Sequence, residues 1–174
     1  MICVGACAAP DLGDVLRALA SAGVRFAIVG GVALQLHGSS YTTFDLDLAY
    51  DRTRENAVRL AAALLPFAPR PRGIPEALPF VFDAQTLMTN EVLTLITTAG
   101  EIDLLAVIKG IGSFAEVERL AEPVAYDGYE LLVLGIEGLI VSKRAAGRPK
   151  DHAGLIELEA LREARRIAEG PDES

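Results

Sequence analysis

The 174-residue sequence contains no tryptophan, only two cysteines and only two histidines. Cys3 and Cys7 lie four residues apart, and together with His37 and His152 they do not give the ligand spacing of a structural zinc site. We therefore interpret both cysteines as reduced and incidental. Aromatic residues make up only 6% of the chain, an apolar composition that is compatible with a monomer or a homodimer.

No apolar run approaches the roughly 18 to 20 residues that a membrane span requires. The best candidate, residues 26–36, is too short and is interrupted by glycines and Gln35. The stretch MICVGACAAPD has no basic residue before its apolar part, so we expect no secretory signal. Because 51% of the residues are hydrophobic, most of the chain is expected to fold. Since neither a membrane span nor a secretory signal is expected, we expect a soluble cytoplasmic protein.

Positive charge is scarce, since 16 Lys and Arg residues stand against 24 Asp and Glu residues, and the formal charge is −8. This balance argues against nucleic-acid binding by the whole surface. Basic residues are nevertheless clustered in two places, which could hold an RNA end locally. The clusters are Arg70 with Arg72, and Lys143 with Arg144, Arg148 and Lys150.

Hydrophobic periodicity, caps and turns predict an α/β-type core followed by a mainly helical C-terminal part. The predicted helices are residues 12–22 after the N-cap Asp11, 30–37, 55–65, 114–120 after Ser113, 136–146 and 149–168. The predicted strands are residues 24–29, 44–50, 92–97 and 101–107, followed by a hairpin around 126–129. Residues 66–80 hold five of the nine prolines and are predicted as a long irregular connection. We divide the chain into a core, 1–112, and a C-terminal segment, 113–174, packed as one compact unit.

Two aspartates flank a single leucine in the predicted strand FDLDLAY. Residues two apart on a strand point the same way, so Asp45 and Asp47 share one face while Leu46 and Leu48 pack on the other. Two carboxylates placed in this way suit a hard, oxygen-preferring cation such as Mg²⁺. Asp103 interrupts a later apolar strand, EIDLLAV, where a third carboxylate would complete a two-metal site.

Gly30 and Gly31 lie between a predicted strand and a predicted helix. A turn without side chains lets the backbone approach a phosphate, and its N–H groups and the helix dipole attract negative charge. A nucleoside triphosphate on this turn, bridged by Mg²⁺ to the aspartates, would allow transfer to an attacking hydroxyl. Taken singly, a Gly-Gly pair is a tight turn and an Asp-x-Asp is a solvated strand face. Their order along the chain, together with Asp103, favours the functional interpretation.

The segments VGGVALQLHG and TTFDLDL resemble the signature of the DNA-polymerase-β-like nucleotidyltransferase superfamily, in which a glycine pair and a short helix precede Asp-x-Asp. EIDLL matches its third acidic position. LIVSKRAAGRPKDHAGLIELEAL is similar to a block of the AbiEii-type bacterial nucleotidyltransferases, some of which are toxins of toxin–antitoxin systems. The resemblance covers residues 12–165. It implies an α+β nucleotidyltransferase fold: a mixed, mostly antiparallel sheet flanked by helices, with a helical C-terminal segment that closes over the cleft.

The resemblance also implies the site. Asp45, Asp47 and Asp103 would hold Mg²⁺ or Mn²⁺, and Asp103 would either assist the metal or accept the proton of the attacking hydroxyl. Gly30 and Gly31 would cradle the triphosphate of the NTP substrate.

Further basic positions match the C-terminal block. Lys143 would contact nucleotide phosphates, and Lys150 with Asp151 matches the Lys-Asp pair that closes the block. From the residues alone, Lys143 is equally well a lysine near a helix end whose ammonium reaches solvent. Asp151 equally well favours the first turn of the last helix.

Two positions depart from the resembled pattern. Relatives often place an arginine where this chain has Tyr41, and a second aspartate where it has Gly154. These departures put nucleotide choice and the bracing of the site in doubt. His37 matches in position, although a histidine at a helix end is more often a packing or capping residue.

The resemblance implies transfer of a nucleoside monophosphate from an NTP to an acceptor hydroxyl. The acceptor would be a tRNA 3′ end, as in toxin relatives, or a protein or small molecule, and a cognate antitoxin is an implied partner. Residues 66–80, with Arg70 and Arg72, are our candidate for an acceptor-facing loop. The alternative is a non-catalytic protein of this fold that binds or regulates within a two-gene module.

Overall fold

The structure is a computed structural model and describes residues 9–169. Cys3, Cys7 and the GPDES tail, on which predictions were made, lie outside the described residues. The strands are β1 (Phe26–Val29), β2 (Asp45–Tyr50), β3 (Arg70–Pro71), β4 (Val92–Thr97), β5 (Gly100–Leu105), β6 (Val107–Ile108), β7 (Gly112–Ser113), β8 (Ala121–Tyr126) and β9 (Tyr129–Leu134). The helices are α1 (Leu12–Ser21), α2 (Gly30–Leu36), α3 (Arg54–Leu64), α4 (Ala84–Thr89), α5 (Phe114–Leu120), α6 (Ile136–Ala146) and α7 (Asp151–Glu169), with a 3₁₀ turn at Leu65–Phe67.

Seven of the strands form one sheet in the order β3-β4-β5-β2-β1-β9-β8, while β6 and β7 pair separately. β2 runs parallel to β5, and β1 runs parallel to β9. The other neighbouring pairs of the large sheet are antiparallel. The sheet is therefore mixed and mostly antiparallel, as the sequence predicts.

The two central strands β1 and β2 differ in how many of their residues are buried. β1 is buried along its whole length. In β2 the alternation is as predicted, since Leu46 and Leu48 are fully buried while Asp45 and Asp47 are partly exposed. One side of β2 thus anchors the strand in the core, and the other side presents its carboxylates.

The first helix begins where its capping residues predict. The Asp11 side chain accepts a hydrogen bond from the Asp14 backbone N–H at 3.0 Å, and the Asp14 carboxylate accepts one from the Asp11 N–H at 2.9 Å. This reciprocal capping box satisfies two backbone donors at the helix start. Val15 and Leu19 then face the core and are fully buried.

The proline-rich segment is more ordered than predicted. Residues 70–71 form β3, an edge strand that pairs with β4. Proline is tolerated there because an edge strand has N–H groups that need no partner in the sheet. Helix α4 was not predicted either; it is six residues long and begins at the N-cap Asp83, whose side chain accepts from the Thr86 N–H.

The C-terminal segment contributes both helices and strands. α7 begins at Asp151 rather than at residue 149, because Pro149 lies in the turn between α6 and α7. The hairpin of β8 and β9 lies in the same sheet as the core strands. The division at residue 112 stays a prediction. None of the helices within residues 9–169 combines the length and the apolar character needed to cross a membrane.

Candidate active site

Four carboxylates lie together on one face of the sheet. Asp47 on β2 is in register with Asp103 on β5, and Asp45 is in register with Glu101. Residues in register on neighbouring strands point to the same face and lie about 5 Å apart. The structure therefore brings the three predicted aspartates together and adds Glu101, which the sequence analysis did not single out.

The Gly30-Gly31 turn packs directly against these carboxylates. Gly30 has a φ of 64°, in the left-handed region that favours glycine, and a Cβ atom there would collide with the Asp47 carboxylate. A Cβ atom on Gly31 would lie 2.6 Å from Cβ of Thr43. Both positions need glycine, because the backbone passes too close to β2 and its leading loop for any side chain.

Lys143, Arg148 and Lys150 form a basic wall in the same region as the glycine turn. Lys143 on α6 is 8% exposed, and its Nζ lies 3.3 Å from Oδ1 of the buried Asp151. Nε of Arg148 donates to the other oxygen of Asp151 at 2.8 Å. Nζ of Lys143 also lies 5.5 Å from the centre of the Tyr41 ring. Asp151 thus holds Lys143 and Arg148 side by side.

Two adjoining clefts meet at the carboxylates. The first has a volume of about 170 Å³ and is lined by both glycines, the three aspartates and the cations Lys143, Arg148 and Lys150. The second has a volume of about 560 Å³, and its lining combines aliphatic side chains of β1, β4 to β6 and α6 with polar and charged residues. Gly30, Asp47, Asp103 and Arg148 line both clefts. A group bound at Asp47 and Asp103 can therefore be reached from two sides.

The carboxylate cluster perturbs its own ionisation. Burial, the Asp103 charge and the Asp45 charge raise the pKa of Asp47 to about 6, against the opposing effect of Arg148 and Lys150. The pKa of Asp103 is also raised, mainly by burial. The raised pKa values thus reflect negative charges that are crowded together and partly removed from water.

The pKa of Asp151 moves the other way. Burial works to raise it, but the hydrogen bond from Arg148 and the Lys143 charge together hold it below its ordinary value. Asp151 is thus an ionised carboxylate at neutral pH, paired with two cations.

Arg72 is the residue whose position sequence reasoning missed. Its Nη2 donates to Oδ1 of Asp103 at 2.5 Å, its Nη1 donates to Glu101, and Nη1 lies 4.0 Å from Oδ2 of Asp45. The sequence predicts Arg72 in an irregular loop that faces the acceptor. The only available signal was the spacing of Arg70 and Arg72 around Pro71, which does not reveal the strand partner.

No protein-family model matches the chain, and no curated protein matches its sequence. The crystal structure of the adenylyltransferase ANT(2″)-Ia in complex with adenylyl-2″-tobramycin matches with a TM-score of 0.56 and 14% identity, over 91% of this chain and 89% of the other. The solution structure of the same antibiotic-resistance factor gives 0.52 and 15%, over 90% of each chain.

This chain has the nucleotidyltransferase fold. The predicted fold class is thereby confirmed. At 14–15% identity the similarity concerns the fold and not the substrate, so the specific similarity to AbiEii-type proteins stays a prediction.

Within this nucleotidyltransferase fold, the carboxylates that could bind a metal ion differ in whether a cation of the protein already engages them. Carboxylate oxygens are the ligands that Mg²⁺ prefers. No group of three His, Cys, Asp or Glu side chains within residues 9–169 is arranged to hold a metal ion. Asp45 and Asp47 fit a divalent cation, since like charges crowd Asp47. Asp103 is engaged by Arg72.

The two departures from the resembled pattern have structural consequences. Tyr41 lines the first cleft and lies under the Lys143 ammonium. A Cβ atom on Gly154 would lie 3.0 Å from Cε of Lys143, so the small residue leaves room for the lysine along α7.

His37 makes packing contacts in the nucleotidyltransferase fold. Its Nε2 donates to the Leu134 carbonyl at 2.9 Å, and its Nδ1 accepts from Arg165 at 2.8 Å. The side chain thereby ties the end of α2 to β9 and α7.

Proposed function

We propose that this protein transfers a nucleoside monophosphate from an NTP to an acceptor hydroxyl, using Mg²⁺ or Mn²⁺. The observation that supports the proposal best is the first cleft. It combines a glycine turn, the carboxylates of β2 and three cations in one place. Phosphoryl transfer requires groups that bind phosphate beside groups that bind a metal ion.

Asp45 and Asp47 would hold the metal. When bound, a divalent cation neutralises the charge that develops on the phosphate and the leaving pyrophosphate. The raised pKa of Asp47 supports this assignment, because a carboxylate crowded by like charges favours a cation beside it.

The glycines and the basic wall would bind the triphosphate. At Gly30 and Gly31 the backbone is bare of side chains, so phosphate oxygens can approach its N–H groups. Lys150 and Arg148 line the same cleft and supply positive charge. Lys143 would contact phosphate from the position in which Asp151 holds it.

The acceptor would enter through the second cleft. In an in-line displacement the attacking and leaving oxygens lie on opposite sides of the phosphorus atom. If the pyrophosphate leaves along the glycine turn, the hydroxyl must approach from the other cleft that Asp47 and Asp103 share. Asp103 would accept the hydroxyl proton as that oxygen bonds to phosphorus and the bond to pyrophosphate breaks.

The charge of the second cleft restricts the acceptor. Of the described residues that line it, only Asp47 and Asp103 are acidic, whereas Lys109 and Arg148 are basic. A polycationic acceptor such as tobramycin, which ANT(2″)-Ia carries as its adenylyl product, would face these cations without a further carboxylate. We therefore expect an acceptor that is neutral or anionic, such as a tRNA 3′ end or a protein or small molecule without several positive charges. The same proposal includes a location in the cytoplasm, a role as a toxin and binding to a cognate antitoxin.

The test combines binding and transfer. The protein is incubated with each labelled NTP, Mg²⁺ or Mn²⁺, and total RNA, cell extract or tobramycin, and thermal unfolding is followed in parallel. We expect stabilisation by NTP only with metal, and label transfer that is lost when Asp45 and Asp47 are both replaced by alanine. Glu130→Gln, which changes an exposed carboxylate on β9, is the matched control. Transfer that survives the double replacement would disprove the site.

A second candidate is a non-catalytic protein of this fold that binds or regulates a partner. The observation that favours it is the pairing of Asp103 with Arg72 and of Lys143 with Asp151, which engages two of the proposed functional residues. The same experiment separates the candidates. Absence of metal-dependent stabilisation by any NTP, with no effect of Asp45→Asn, would favour this second candidate.

A further inference from the structure

Arg72 reaches the carboxylate cluster along a row of residues that crosses the sheet. The Arg72 backbone N–H donates to the Thr94 carbonyl at 2.8 Å, just beyond the end of β3. Thr94 is in register with Asp103, and Asp103 is in register with Asp47. Residues in one row point to the same face. Because Thr94 is short, the long Arg72 side chain can pass over it to Asp103.

The guanidinium occupies the space between carboxylates of two strands. It donates to Asp103 and to Glu101 on β5, and it lies 4.0 Å from Asp45 on β2. Arginine carries its charge at every accessible pH, and its planar fork matches two carboxylate oxygens at once. Arg72 is therefore a permanent positive charge on the β5 side of the cluster.

The contacts of Arg72 distinguish the carboxylates of β5 from Asp47 on β2. Asp103 and Glu101 have a fixed cation of the protein itself, whereas Asp47 has no ion pair among the described residues. A two-metal site needs a carboxylate shared between both ions, and metal ions about 3.5–4 Å apart. A guanidinium bonded to Asp103 and close to Asp45 lies where a second ion would need its ligands.

We propose that Arg72 takes the place of a second metal ion, so that the site binds one divalent cation per NTP, held by Asp45 and Asp47. This inference rests on the proposed function.

The test counts metal ions. The protein is saturated with the α,β-methylene analogue of each NTP, and bound Mn²⁺ is counted by electron paramagnetic resonance with equilibrium dialysis. We expect one Mn²⁺ for the wild-type protein and for Arg72→Lys, which keeps the charge. We expect two for Arg72→Gln, because removal of the guanidinium leaves Asp103 open to a second ion.

Arg70→Gln is the matched control. Arg70 is two residues away in the same segment, but its side chain donates to the Glu76 carbonyl and not to the cluster. It should keep one Mn²⁺, and circular dichroism checks the fold of each variant. Two Mn²⁺ in the wild-type protein, or one in folded Arg72→Gln, would overturn the inference and leave the proposed function intact. No bound Mn²⁺ in the presence of any analogue would overturn both.

Discussion

Replacing Asp47 by asparagine should stabilise the protein and at the same time abolish its metal binding. The pKa of Asp47 is raised from 3.8 to about 6 by burial and by the charges of Asp103 and Asp45. A shift of about two pH units corresponds to about 3 kcal/mol against the ionised form. Asparagine has nearly the same shape without the charge, so at neutral pH it removes the cost of holding an ionised carboxylate in this cluster.

The sign of the effect follows from linkage. The folded protein holds the Asp47 proton more tightly than the unfolded chain does. The contribution of protonated Asp47 to the free energy of unfolding is therefore fully present below pH 3.8 and is lost as the pH rises through about 6. We expect Asp47→Asn to exceed the wild type by only about 0.5 kcal/mol at pH 4, and by about 3 kcal/mol at pH 8. For a chain of this size, 3 kcal/mol raises the melting temperature by about 6–12 °C.

Urea unfolding followed by circular dichroism between pH 4 and pH 8, with a chelator present, measures this difference. Glu130→Gln again serves as the control and should follow the wild-type curve. At pH 8, Mg²⁺ with NTP should stabilise the wild type but not Asp47→Asn. If the Asp47→Asn and wild-type stabilities stay parallel over the whole pH range, Asp47 does not lie in a crowded carboxylate cluster and the argument fails.

Two further substitutions probe the walls of the cleft. Gly30→Ala should lower the free energy of unfolding in urea by roughly 1–2 kcal/mol, because alanine is strained at a positive φ and its Cβ would displace the Asp47 carboxylate. The variant should also lose the stabilisation by NTP. An unchanged urea midpoint would contradict this prediction. Asp151→Asn should destabilise the protein by about 3 kcal/mol at pH 7, because the buried Lys143 and its neighbour Arg148 lose the negative charge that they share. Since the Asp151 pKa is lowered, that stability is present above pH 3.8 and is lost as the pH falls below it, so the two proteins should converge in acid unfolding.

The residues that repeat with the period of a strand could be predicted from the sequence. Asp45 and Asp47 interrupt an alternating apolar pattern, and that pattern alone fixes which face they share. The Asp103 strand was found in the same way. Its pairing with β2 gave the carboxylate cluster its third member.

The contact of Arg72 with Glu101 and Asp103 could not be predicted, for a physical reason. This contact depends on the register of β3, a strand of two residues inside a proline-rich segment that suggests an irregular loop. Register in so short an edge strand is set by its partners and not by its own pattern. The pairing of Lys143 with Asp151 is similar, since it depends on how α7 packs on α6.

The parallel pairing of β1 with β9 has a consequence for the autonomy of the core. β1 leads into the glycine turn, and within residues 9–169 the strand that pairs with one of its two long edges is β9, from the C-terminal segment. Without residues 129–134, the backbone N–H and C=O groups along that edge of a wholly apolar strand would be open to other chains. The half of the protein that carries the aspartates therefore depends on the other half for protection against aggregation.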